Sequence, residues 1–333
     1  MPKKNLVAIL CILFITCLTS FNKPTDPETQ KASIKQQKEA LKTIIIDAGH
    51  GYPDGGAHGK YSNEADITLA VANQLNERLK QVLPDCKIIM TRTTPNLPDG
   101  NTDRNKANRY RAQMANDNHG DLFIAIHVNS LKERYERRIE GYRQETYYVY
   151  TGKKKNRKKV AKTRSVPIYK SYKLSCNRKG TETYIWAVGK NDQKKSSVGS
   201  KDDQDDMFGE QADSSFSYFD TPEAKILASL RTKRYFDRSR LMASLVEEEF
   251  KKEGRPSYGV KQRDHAGIWV LQATNMPSIL VETGFICDPE EEDYLNSEKG
   301  VNEVSYAIMR AVLRYKSAMD NSPLPPADSS FTR

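Results

Sequence analysis

Three short apolar runs each deliver a residue able to hold a metal or move a proton, and this recurrence narrows the fold more than any other feature. Ile44-Ile45-Ile46 leads through Asp47-Ala48-Gly49 into His50, the run from Leu122 to Ile126 ends at His127, and Ile279-Leu280-Val281 ends at Glu282. Runs this short, rich in β-branched residues and lacking a 3.6-residue period, read as buried strands of an α/β sheet. In such sheets ligand sites lie beyond the carboxyl ends of the strands. Polar groups distant in sequence can therefore meet in one crevice.

The intervening segments fit that plan. Ile67, Val71, Leu75 and Leu79 mark one face of a helix that stops before Pro84, with Ser62 or Asn63 as its cap and Glu64 in its first turn. A strand is expected at 87–91, a helix at 103–116, a long helix at 222–251, short strands at 268–271 and 277–282, and a last helix at 301–315. The alternation predicts an α/β fold with a mostly parallel or mixed central sheet and helices on both faces. One catalytic domain over 43–318 is expected, interrupted at 131–221 by a long insertion with strand-like pieces at 145–150 and 181–188, and followed by a disordered tail at 319–333. No internal repeat is visible.

Lys3 and Lys4 precede an apolar stretch at 6–18, too short for a membrane span and suited to a secretory signal peptide at 1–20, with a polar linker at 21–42. Export to the periplasm or cell envelope is expected, and Cys17 offers lipid attachment as the less favoured route. Cys86, Cys176 and Cys287 then remain, an odd number that allows at most one internal bridge. The formal charge of +10 is local, because residues 132–179 hold seventeen Lys and Arg against four Glu. Such a segment reads either as a solvated loop or as an electrostatic hold on anionic envelope polymers. Nucleic acid is not expected as a partner, given the export signal and no aromatic platform read between the basic residues.

Two imidazoles and one carboxylate suit zinc and leave a fourth position for water, whose pKa the metal lowers from about 15.7 to about 7. His50, Glu64 and His127 are the expected ligands, with Gly49 and Gly51 removing bulk around His50. Singly, each has a plainer reading: a turn histidine, a carboxylate favouring a helix N-terminus, a satisfied core histidine. Jointly, all at strand or loop ends, they favour metal binding. Glu282 reads as a proton carrier beside the metal, or more plainly as a cap or ion-pair carboxylate.

These residues carry a family resemblance. Ile44-Ile45-Ile46-Asp47-Ala48-Gly49-His50-Gly51, Gly55-Gly56-Ala57 and Glu64, Ile126-His127-Val128-Asn129-Ser130, and Pro277-Ser278-Ile279-Leu280-Val281-Glu282-Thr283-Gly284-Phe285-Ile286 with Glu291 and Glu292 resemble the zinc-dependent N-acetylmuramoyl-L-alanine amidases of the bacterial cell wall. The resemblance covers about 43–130 and 236–315. It implies Zn²⁺ on His50, Glu64 and His127, Glu282 as catalytic acid/base, and peptidoglycan as substrate, cut between N-acetylmuramic acid and L-alanine.

Departures from the family pattern are local. Ala48 stands where proline is common, and His58 where an apolar residue is usual; His119 and His265 read as surface residues. Gly180-Thr181-Glu182-Thr183-Tyr184 resembles the strand that follows the second histidine, while the basic stretch before it has no counterpart. In some related amidases an inserted element covers the zinc until a protein activator removes it. The acidic residues Asp202, Asp203, Asp205, Asp206 and Glu210 are a candidate for that role here, against a disordered acidic loop. Rival readings are a zinc peptidase acting on cell-wall peptides and a non-catalytic binder of envelope polyanions. The intact set of ligands and acid argues against the binder.

Overall fold

The computed structural model describes residues 41–323, apart from 154, 188, 190–193, 195–221 and 264–266. Among the described residues eight strands and six α-helices follow one another: β1 (Thr43–Ala48), α1 (Glu64–Val82), β2 (Lys87–Met90), α2 (Arg104–Asp117), β3 (Leu122–Asn129), β4 (Tyr135–Thr151), β5 (Lys158–Lys173), β6 (Thr181–Ile185), α3 (Pro222–Lys252), β7 (Ser257–Gln262), α4 (Trp269–Ala273), β8 (Ser278–Phe285), α5 (Pro289–Asn296) and α6 (Glu298–Asp320). Six strands form one sheet in the order β2-β1-β3-β8-β6-β7. Every neighbouring pair is parallel except β6 with β8. This is the mixed, mostly parallel sheet expected.

Alternation along the central strands serves two cores. Ile44, Ile46, Ile124, Ile126, Ile279 and Val281 point to one face, where α1, α3 and α6 cover them. Ile45, Phe123, Ala125 and Leu280 point to the other, against Trp186 and the Leu271 side chain of α4. Side chains of successive strand residues point to opposite faces, so runs apolar at every position are what a sheet covered on both sides requires. Helix starts are fixed by side-chain caps: Asn63 accepts from the Asp66 amide, Asp103 from Lys106, Asp288 from Glu290 and Glu291, and Ser297 from Gly300.

Several expectations need correction. Residues 268–271 form no strand: Ile268 is the N-cap of α4, a short helix, because a four-residue apolar run fits helix and strand equally well. The last helix continues to Asp320, past the expected end of the domain at 318; residues 324–333 of the expected tail lie outside those described, as do the proposed signal and linker up to residue 40, His265 and the acidic segment at 202–210. The basic stretch is no loop. It forms β4 and β5, an antiparallel ribbon of 17 and 16 residues that pairs only with itself. Its tyrosines are exposed and interleave with the basic residues, contrary to the expectation that no aromatic residues do so. At the root of the ribbon a disulfide joins Cys176 to Cys287, just past β8, while Cys86 stays free.

Candidate metal centre

The carboxyl ends of β1, β3 and β8 bring the sequence candidates together. His127 on β3 pairs in register with Glu282 on β8, and Glu282 pairs in turn with Glu182 on the antiparallel β6. His50 follows β1 in a left-handed conformation, φ 58°. Such a conformation costs a non-glycine residue about 1–3 kcal/mol, so its surroundings must hold it. Two buried guanidinium groups do so. Arg92 donates to the carbonyls of Ala48, Gly49 and Ala65 at 2.9, 2.9 and 2.7 Å. Arg111 donates to the Ala48 carbonyl at 2.8 Å and the His50 carbonyl at 2.5 Å, and forms a buried ion pair with Asp47.

Ligand atoms of His50, Glu64 and His127 all lie within 4.8 Å of one another, the one such cluster among the described residues. Glu64 Oε1 lies 2.8 Å from His127 Nδ1 and Oε2 lies 3.2 Å from His50 Nε2. The backbone amides of Ala57 and Val128 donate to the same carboxylate at 2.8 and 2.9 Å. Asp54 Oδ2 sits 2.9 Å from His50 Nδ1 and orients the ring, as carboxylates behind ligating histidines do. Glycine is required on both sides: a Cβ at Gly49 would meet the His127 ring at 2.5 Å, and one at Gly56, φ +69°, would meet Glu64 Oε2 at 2.6 Å. Burial would push the Glu64 carboxyl up, but hydrogen bonds with His127 and His50 outweigh it and hold it well below the usual range. Two imidazoles and an ionised carboxylate aimed at one point, cleared by glycines, fit a zinc-type cation. His58 stands outside the cluster and His119 is exposed.

Glu282 faces this cluster across a crevice of about 580 Å³, also lined by Arg104, Asn108, Arg263 and Trp269. It is buried, and its Oε2 has no hydrogen-bond partner. Burial, then the nearby Glu64 charge, push its carboxyl well above the usual range, with Glu182 adding to the effect and Arg263 opposing it. Burying a carboxyl group without a partner for one of its oxygens is costly, so packing alone does not explain it.

Comparison with known proteins decides the family. The family model for N-acetylmuramoyl-L-alanine amidase, Amidase_3, matches residues 44–314. The chain belongs to this amidase family. The germination-specific N-acetylmuramoyl-L-alanine amidase of Bacillus subtilis is 23% identical over 288 residues, 85% of this chain and 83% of its own. The N-acetylmuramoyl-L-alanine amidase AmiC of Escherichia coli is 24% identical over 82% of this chain and 52% of its own. The CwlD amidase of Clostridioides difficile, solved in complex with the GerS lipoprotein, shares the fold with TM-score 0.50 and 20% identity, over 83% of this chain and 99% of its own. The protein is thus an N-acetylmuramoyl-L-alanine amidase, and peptidoglycan is the substrate of its family.

Several residues that build the amidase site went unread in the sequence. Asp54 had one available signal, its place four residues after His50 in the Gly-rich loop. Glu292 was noted only as part of a motif; it accepts from the amides of Lys60, Tyr61 and Ser62 at 2.7, 2.9 and 2.8 Å and so fixes the loop leading into α1. Glu182 was read only as part of a strand motif, while Arg92 and Arg111 carry no local pattern, because they bind backbone carbonyls and side chains remote in sequence.

Proposed function

We propose that this amidase is a zinc-dependent hydrolase in which His50, Glu64 and His127 hold the metal and Glu282 moves the proton. Zinc, when bound, supplies Lewis acidity toward the scissile carbonyl and toward water. Glu282 accepts a proton from the attacking water and passes it to the departing L-alanine nitrogen, so that water adds across the amide and leaves a lactyl carboxylate and a free stem peptide. Glu64 remains ionised, and Asp54 keeps the His50 ring turned toward the centre. The observation that carries this reading is the unpartnered Glu282 Oε2 in the same crevice as the three clustered ligands. A cation held by His50, Glu64 and His127 would offset the Glu64 charge that helps to raise the Glu282 carboxyl, and so would favour the ionised form that Glu282 needs in order to accept a proton.

Mass spectrometry of peptidoglycan digested by the purified protein tests the bond. Stem peptides beginning with L-alanine are expected, with none after chelation and recovery on adding Zn²⁺; shortened stems still attached to glycan would mean a peptidase instead. His127→Ala is expected to lose both stoichiometric zinc and hydrolysis, read by metal analysis alongside the digest. Action outside the cytoplasm belongs to the same proposal: residues 1–20 have the composition of an export signal, and no described helix is long and apolar enough to cross a membrane.

A further inference from the structure

The β4–β5 ribbon gathers five of its seven tyrosines on one face. β5 alternates without interruption, and its odd-numbered residues pair with Tyr135, Ile139, Tyr142, Tyr148 and Tyr150. Those side chains and Tyr169 therefore share a face, and each is half or more exposed. A bulge makes this possible. On β4 the series begins on odd numbers and ends on even ones, and the extra residue Glu140, between Ile139 and Gly141, absorbs the change. Without it, Tyr135 would face opposite Tyr142, Tyr148 and Tyr150.

Cations accompany the rings: Arg137 lies 4.6 Å from the Tyr169 ring centre and Lys159 4.1 Å from that of Tyr148. The opposite face carries Arg138, Arg143, Lys158, Lys162, Arg164 and Lys170, with the exposed Tyr147, Ile168 and Tyr172 among them. Glu136, Glu145 and Glu140 pair with only three of these, Arg138, Arg164 and Lys170. A two-stranded ribbon exposed on both faces is marginal by itself in water, and both of its edges are open. Its 17-residue strand spans about 50 Å at about 3.3 Å per residue.

The ribbon is rooted at the catalytic crevice. β3, which bears His127, runs within six residues into β4, and β5 returns through the Cys176–Cys287 bridge to β6, which places Glu182 beside Glu282. We infer that the ribbon is a substrate-holding arm that binds the glycan strand of peptidoglycan and leads it to the crevice. The tyrosine rings stack on the C–H faces of the sugars, and the cations meet the carboxylates that the polymer carries. A second copy of the chain is a poorer occupant, since edge pairing would set two strongly basic ribbons side by side. The inference rests on peptidoglycan being the substrate.

The test is co-sedimentation of the full chain with purified peptidoglycan sacculi, in a Glu282→Gln background so that the polymer is not consumed. The triple variant Tyr142→Ser, Tyr148→Ser, Tyr150→Ser is expected to bind about tenfold more weakly, and binding should fall as salt rises. Deleting Glu140 keeps every tyrosine but splits the row, and should weaken binding in the same direction. With Glu282 intact, the triple variant should cut a small soluble muramyl peptide at the parental rate and sacculi more slowly. Unchanged sacculus binding by both variants overturns the inference. So does binding confined to phosphatidylglycerol vesicles or DNA, or a parental dimer that the variants split. If digestion instead releases fragments cut at another bond while the variants still lose sacculus binding, the bond assignment fails and the arm stands.

Discussion

Glu282→Gln is expected to slow peptidoglycan hydrolysis by about 10²- to 10⁴-fold, the usual contribution of a positioned proton carrier, while stoichiometric zinc is retained. The same substitution should stabilise the metal-free protein. Glu282 is buried with Oε2 unpartnered, so its ionised form has no donor there to offset the loss of water, whereas an amide carries no charge to desolvate. Burial and the Glu64 charge raise its carboxyl well above the ordinary value in the folded state. Folding therefore favours the protonated form, and the parent loses stability as pH rises from the ordinary carboxyl range through the raised folded value. The amide has no such loss. Denaturant midpoints measured with chelator should coincide for parent and variant at acid pH and separate in favour of the variant as pH rises. A variant that turns over sacculi like the parent removes the proton-carrier role; one that is inactive but no more stable removes the argument from burial.

Much of this site was legible because strand ends announce it. Ile44 to Ile46, Leu122 to Ile126 and Ile279 to Val281 are buried on both faces, so their apolar runs are dense and their ends are clear. Each then delivers its polar residue to the same edge of a parallel sheet, and His127 and Glu282 meet as register partners. The ribbon was hidden for the converse reason. Exposed on both faces, β4 and β5 need no apolar side, and Lys, Arg, Thr and Tyr at alternate positions look like solvated loop. β7, half exposed at the sheet edge, gave an equally weak pattern. Three candidate cysteines allowed any pairing, and only the placement of β6 beside β8 brings Cys176, ahead of β6, to Cys287, just past β8.

The second large effect is expected beneath the metal centre, at the Asp47–Arg111 pair. Asp47 follows the apolar run of β1, and its Oδ1 accepts from the Thr91 hydroxyl at 2.5 Å and from Arg111. Arg111 is buried and also donates to the carbonyls of Ala48 and His50, the residues that turn the chain into the site. Arg111→Met strands the Asp47 charge in the core, and breaking a buried pair in this way costs about 3–5 kcal/mol. It also releases the left-handed His50 backbone, so zinc affinity should fall together with stability. Asp47→Asn combined with Arg111→Met removes both charges and should recover part of the stability, a coupling of about 0.5–3 kcal/mol. Zinc affinity should not recover with it, because the His50 carbonyl still lacks its donor. Urea unfolding and zinc titration of the two single variants and the double variant separate these effects. Strictly additive stability losses would mean that the pair is not coupled, and zinc affinity returning in the double variant would mean that Arg111 does not position His50.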